Sequence, residues 1–299
     1  MRTVIKFILG AVLALVVVGA LALALVYGLS GARLRRTYQV KVTPPALPFS
    51  TGRPEVGRHL AVTRGCTSCH GDDLAGAKVM DNSAMGRVYG PNLTGGRGGL
   101  PAGFSDLDFV RALRHGLAPD GRGLYLMPSG DFARFTDSDM ADLVAYIRSV
   151  PPVDRDSVPV GVGPVARALL MAGKIRLAAD VIDHDAVKPD AVVPGPTVAY
   201  GRYLAVACTG CHGPNFSGGK IEAGPPNWPH AANLTPHPSG RLSRWTEPDF
   251  FAAVRTKRRP DGTAIDPVMP AAFGQMNDME LKAIWSFLRT LPPVPTGVR

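Results

Sequence analysis

The sequence predicts an all-α protein: two tandem small helical domains behind an N-terminal membrane helix. Three observations carry this. A long uncharged apolar run lies near the N-terminus, one internal repeat covers most of the remaining chain, and strand-like alternation is scarce in both copies.

The length, 299 residues, suits about two globular domains. Only 19% of residues are charged, and 34 Gly and 28 Pro point to short helices joined by many turns. The formal net charge is +9, but five of the 33 basic residues (Arg2, Lys6, Arg33, Arg35 and Arg36) fall in the first 36 positions, where no acid occurs. The rest carries 28 basic against 24 acidic residues, scattered and without interleaved aromatics, unlike a nucleic-acid-binding face.

Residues 1–36 read as a membrane anchor with its flanks. Phe7 to Tyr27 is a run of 21 residues without a charge, about the length that crosses a bilayer and longer than a signal-peptide core. The alternative is a cleaved signal, because Ala20, Ala22 and Ala24 imitate a small-residue cleavage site. Basic residues flank the run on both sides, so charge alone does not orient it.

The remaining chain repeats once. Gly57-Arg58-His59-Leu60-Ala61-Val62 matches Gly201-Arg202-Tyr203-Leu204-Ala205-Val206, and Cys66-Thr67-Ser68-Cys69-His70-Gly71 matches Cys208-Thr209-Gly210-Cys211-His212-Gly213. Asn92-Leu93-Thr94 matches Asn233-Leu234-Thr235, Pro119-Asp120-Gly121 matches Pro260-Asp261-Gly262, and Met127-Pro128 matches Met269-Pro270. Val150-Pro151-Pro152-Val153 closes one copy and Leu291-Pro292-Pro293-Val294 the other. The expected domains are 52–153 and 196–299, joined by a linker at 154–195.

Each copy has the same helical plan. One helix leads into the cysteine motif, a second starts at Ser105 or Thr246, and a last starts at Thr136 or Asn277. Every one of these four starts has an acid three residues on (Asp108, Asp249, Asp139 and Glu280), the capping-box pattern that satisfies exposed backbone N–H groups. Phe104/Phe109, Trp245/Phe250, Phe135/Met140 and Met276/Leu281 are spaced as hydrophobic staples. The last helices have one apolar stripe each: Met140, Leu143, Val144 and Ile147, then Leu281, Ile284, Trp285 and Leu288. In the linker, a short helix is expected to run through Val165–Ala179, packed along the domains so that Leu169, Leu170, Met171, Ile175 and Leu177 find cover.

Cys66-x-x-Cys69-His70 and Cys208-x-x-Cys211-His212 use every cysteine in the chain. The pattern is that of c-type haem attachment. Two thiols about one helical turn apart reach the two vinyl groups of one porphyrin, and the following imidazole faces the iron. Zinc would require the two pairs close together in sequence, a thioredoxin-like redox pair would require a βαβ context, and structural disulfides would not require a following His twice. Two covalently bound haems are therefore expected, and their propionates bring the charge outside the anchor close to zero. Haem is attached outside the cytoplasm, which places the N-terminus inside and the domains outside, on the periplasmic side of a bacterial inner membrane.

The second axial ligands are expected to be Met127 and Met269, each 57 residues after its motif histidine and each followed by Pro. A lone Met is usually core packing; equal spacing in both copies argues otherwise. Met80, Met85, Met140, Met276 and Met279 are the competitors, the last three in helices. His59, His115, His184, His230 and His237 have no equivalents in the other copy and are set aside as ligands.

Each repeat resembles a class I cytochrome c domain: a Cys-x-x-Cys-His near the first helix, a Gly90-Pro91-Asn92-Leu93 loop, and Met-Pro before the last helix. The resemblance implies crossing terminal helices around one haem and a hydrogen bond from His70 to the Pro91 carbonyl. In copy two Ala231-Ala232 replaces Gly-Pro, so Ala232 would supply that carbonyl. Longer stretches, with Arg167 and Met171-Ala172-Gly173 of the linker, are similar to cytochrome c subunits of membrane-bound alcohol dehydrogenase-type complexes, although those usually carry three haems and are attached differently. Histidine–methionine ligation leaves iron no vacant position and suits electron transfer at a high potential. The expected function is a membrane-anchored dihaem electron carrier, itself not an enzyme, meeting redox partners or complex subunits at the membrane. The alternative is a dihaem enzyme such as a cytochrome c peroxidase, with His115 or His230 as acid–base group. A haem-based sensor has no residues left for a signalling module.

Overall fold

The computed structural model describes residues 2–185, 191–221, 224–225 and 227–298; linker residues 186–190 lie outside the described residues. The chain is mainly helical. Helix α1 (Arg2–Leu34) is a single 33-residue rod, long and apolar enough to cross a membrane, and its apolar window has no buried residue. Copy one contains α2 (Pro54–Thr63), α3 (Cys66–His70), α4 (Asp106–His115), α5 (Ser129–Phe132) and α6 (Asp137–Ser149). After α7 (Pro164–Met171), copy two contains α8 (Val198–Ala205), α9 (Thr209–His212), α10 (Glu247–Thr256) and α11 (Asp278–Arg289).

In each copy the first helix crosses the last. The crossing is close because a glycine sits at it: a Cβ on Gly57 would lie 1.9 Å from the Asp142 carbonyl oxygen of α6, and one on Gly201 would lie 1.9 Å from the Ala283 carbonyl oxygen of α11. Around these crossings sit two hydrophobic cores. One holds Phe109, Val110, Leu113, Met140, Leu143, Val144 and Ile147; the other holds Leu204, Phe250, Val254, Leu281, Ile284, Phe287 and Leu288. Trp285 is only half-buried, its ring 5.6 Å from Phe250 and covered by the Arg289 guanidinium.

Reciprocal capping boxes close the starts of α4, α10 and α11. At α6 the Thr136 hydroxyl accepts from the Asp139 N–H, but the Asp139 carboxylate turns to another partner, described below.

Two local expectations need amending. A small antiparallel sheet is present: β1 (Lys78–Asn82) pairs with β2 (Gly86–Tyr89) in the register Met80–Val88, and β2 pairs with β3 (Gly161–Val162) of the linker. Strands this short, one completed by residues some 70 positions away in sequence, leave no readable alternation. The linker helix is also shorter than expected, because Gly173 follows it in the left-handed region (φ 70°).

The linker binds the end of α1. Arg33 donates to the Leu170 carbonyl (3.1 Å) and pairs with Asp180 (3.0 Å), and the Tyr38 hydroxyl donates to Asp180 (2.7 Å). The Tyr38 N–H donates to the Gly121 carbonyl (2.9 Å), so copy one is fastened to the exit of α1.

Candidate functional site

The cysteine motifs fold as short helices, α3 and α9, directly after the first helix of each copy. In copy one, His70 Nδ1 lies 2.9 Å from the Pro91 carbonyl oxygen; in copy two, His212 Nδ1 lies 2.7 Å from the Ala232 carbonyl oxygen. A carbonyl only accepts, so Nδ1 carries the proton and Nε2 keeps its lone pair. Burial lowers the pKa of both imidazoles and favours this neutral form. Burial also pushes the Cys66 and Cys208 thiols up to about 12 and raises Cys69.

The two loops that present these carbonyls are held by a clasp that spacing alone did not reveal. Asn92, 3% exposed, donates to the Val153 carbonyl (2.8 Å), while its own carbonyl oxygen accepts from the Thr94 N–H and hydroxyl, each at 2.8 Å. Asn233 repeats this with Val294 (2.7 Å) and Thr235. The Asn-Leu-Thr repeat and the closing Pro-Pro-Val were therefore two halves of one device, visible in the sequence only as separate matches.

Copy two encloses a largely apolar cavity of about 430 Å³ whose wall includes Cys208, Cys211, His212 and Met269. That volume is typical of a cofactor pocket. In copy one, Cys66 and Met127 pack against the core, with Met127 half-buried like Met269. The residues fit haem c: protonated thiols suited to adding across vinyl groups, a neutral imidazole with its bare nitrogen free, a thioether, and an apolar wall. Lys257, which spacing also missed, donates through Nζ to the Met269 carbonyl from a left-handed position (φ 58°) at the end of α10. Gly116 holds the matching position in copy one.

Of the histidines set aside, His115 and His184 face each other at 3.0 Å, and His237 bonds Ser239 (2.8 Å). His230 does line the copy-two cavity. His59 reaches across to the other copy, where its Nε2 lies 2.8 Å from Glu280. Its repeat equivalent, Tyr203, reaches the opposite way and donates to Asp139, the equivalent of Glu280. The two copies thus meet through matching residues related by an approximate two-fold axis.

A second cavity of about 200 Å³ lies at this junction. Gly65 and Ser68 border it beside one cysteine pair and Ala207 beside the other, with Pro128 and Pro270 following the two methionines. Arg64 enters it from copy one. Its Nη1 donates to the Leu204 carbonyl of copy two (3.0 Å), and its guanidinium lies 5.6 Å from both the Phe135 and Tyr203 rings. Its Nε is buried without a protein partner among the described residues. Asp131, also on this wall, has its pKa raised to about 6 by burial, against the opposing charges of Arg134 and Arg64.

The cytochrome c family model matches residues 55–151 and 198–292. The chain belongs to the cytochrome c family. This cytochrome is 29% identical to the fructose dehydrogenase cytochrome subunit of Gluconobacter japonicus, over 91% of its own length and 59% of that protein. It is 30% identical to the cytochrome c subunit of the quinone-type alcohol dehydrogenase of Gluconacetobacter polyoxogenes, over 80% of its length and 56% of that subunit. A diheme cytochrome c-type protein of Cereibacter sphaeroides is 27% identical over 92% of this chain and 97% of its own. The cytochrome therefore spans less than two thirds of the two dehydrogenase subunits and nearly all of the diheme protein.

Proposed function

We propose that this cytochrome is a membrane-anchored dihaem electron carrier, passing electrons from a respiratory or dehydrogenase donor to a downstream acceptor as a non-catalytic subunit. In this reading residues 1–36 anchor the chain in a bacterial inner membrane, and the domains at 52–153 and 196–299, joined by the 154–195 linker, stand on the periplasmic side. Cys66, Cys69, His70 and Met127 hold one haem, with the Pro91 carbonyl orienting His70. Cys208, Cys211, His212 and Met269 hold the other, with the Ala232 carbonyl orienting His212. Bound there, haem supplies reversible one-electron exchange at its iron. The protein's part is to exclude water, fix each imidazole through its second nitrogen, and set the potential through thioether ligation and burial.

The observation that carries this reading is the duplicated imidazole–carbonyl hydrogen bond beside a duplicated thiol pair. The shared cavity supports passage of electrons between the copies, since residues next to both cysteine pairs and both methionines border it. The names of the relatives support a dehydrogenase complex as the setting. A peroxidase is less well supported, because His115 is engaged with His184 in the linker. A pyridine haemochrome assay on the purified chain tests the reading. Two thioether-bound haems per chain are expected, and fewer would overturn it. Co-purification from detergent-solubilised membranes then identifies the donor.

A further inference from the structure

Helix α7 has two apolar faces, and only one is accounted for. Its inner face buries Ala166 and Leu170 toward the end of α1, where Ser30 and Gly31 are the buried residues. Its single charge turns the same way: Arg167 donates to the Ser30 hydroxyl (2.8 Å) and the Val162 carbonyl (3.0 Å), with its guanidinium 4.6 Å from the Tyr27 ring centre. The outer face, with the residue that ends the helix, consists of Pro164, Val165, Ala168, Met171 and Ala172, all exposed and none polar.

The contacts also give the helix a height. Arg167 lies level with Tyr27 and Ser30, the Leu170 carbonyl lies level with Arg33, and Asp180 reaches Arg33 and Arg36. Helices α7 and α1 therefore run in the same direction, and the start of α7 points back toward the uncharged run that ends at Tyr27. At about 1.5 Å per residue, Val165 sits roughly 3 Å deeper than Arg167. A tyrosine at the end of such a run, with an arginine over its ring, is the usual furniture of a membrane–water boundary. The β1–β2 turn is held at the same level, since the Val165 N–H donates to the Ala84 carbonyl (3.0 Å). Lys174 and Arg176, both exposed, follow on the side away from the lipid, where anionic headgroups attract cations.

We propose that the outer face of α7 rests in the headgroup–acyl boundary of the bilayer crossed by α1, as a second membrane contact that fixes the tilt of copy one. The inference rests on the reading of α1 as a retained anchor. Lipid is favoured over a protein partner because the face carries no polar residue and begins level with the end of the exposed apolar run of α1, where Arg167 covers Tyr27.

The test uses the full haem-loaded chain in nanodiscs of phosphatidylcholine and phosphatidylglycerol. The native cysteines are taken up in thioethers, so a single introduced cysteine carries a nitroxide label in each of Val165→Cys, Ala168→Cys, Met171→Cys, Leu15→Cys and Asp261→Cys. Collision with oxygen is compared with collision with a water-soluble nickel chelate, in variants whose haem content matches the parent. Labels at 165 and 168 are expected to behave like the mid-span label at 15, oxygen-accessible and shielded from nickel, with 171 intermediate and 261 the reverse. Nickel access at 165 and 168 with a shielded label at 15 overturns the inference and leaves the anchor standing. Shielding from both probes at 165 and 168 also overturns it, in favour of a protein covering the face. Nickel access at 15 instead overturns the anchor reading itself.

Discussion

The two copies use the same parts to different ends. Both cross their terminal helices at a glycine, clasp the carbonyl loop with an Asn-x-Thr, and bond an imidazole to that loop. Copy one adds a β-hairpin, a linker strand and contacts to the end of α1. Copy two lacks those additions among the described residues and instead steadies its methionine loop with Lys257. Matching sets of thiols, imidazole and thioether are thus placed in unequal surroundings, and under the proposed function those surroundings would give the two sites different potentials.

The largest expected effect tests whether the sites are equivalent at all. Met127→Ala and Met269→Ala should each abolish one methionine–iron charge-transfer band at the red end of the ferric spectrum and lower that site's potential. Unchanged spectra in both variants would refute the ligand assignment. An unchanged spectrum in Met269→Ala alone would point to His230, which lines the same cavity. Next, Gly57→Ala and Gly201→Ala force a Cβ to within 1.9 Å of a backbone oxygen in each copy. Each should cost about 1–3 kcal/mol or more by overpacking, read as a lower thermal midpoint; a tolerated substitution in one copy would show that its helix crossing can relax.

A smaller effect is expected from Arg64→Gln, which removes a cation that opposes the raised thiol pKa values of both Cys66 and Cys208. Both potentials should fall together in a spectroelectrochemical titration, since a nearby positive charge stabilises the reduced form, and Arg64→Lys should restore them. A fall at one site only would mean that the residue belongs to one copy rather than to the junction. The smallest effect is on pH dependence. The hydrogen bond to Glu280 raises the pKa of His59 above its ordinary 6.5. Its contribution is complete below that ordinary value and fades as pH climbs through the raised one. Hydrogen-exchange protection in α2 and α11, measured relative to the intrinsic exchange rate at each pH, should therefore fall modestly on going to alkaline pH, and His59→Gln should remove that fall.

Much of this was legible because it is written locally. The thiol pairs, the caps at Ser105, Thr246 and Asn277, and the apolar stripe of α6 each depend on residues within a few positions of one another. The β1–β2–β3 sheet and the His59–Glu280 and Tyr203–Asp139 contacts depend on residues far apart in the chain, and no periodicity announces them. Arg64 lies between these cases. The repeat offset falls from 144 at Gly57 to 142 at Cys66, so copy one carries two extra residues just before its first cysteine. In the structure Arg64 and Gly65 lie in that stretch, with Gly65 at φ 78°, a left-handed turn that a side chain would oppose. The capping pattern at Thr136 was right in sequence and only half used in space, because Asp139 serves the neighbouring copy instead.

The approximate two-fold pairing has a consequence for assembly. A self-complementary face is the surface on which a single-domain ancestor would form a dimer, and here tandem duplication has enclosed it within one polypeptide. Any larger assembly must therefore grip the molecule by its flanks, and the sides of the pair that look away from each other, unlike in decoration, give a partner the means to tell one copy from the other.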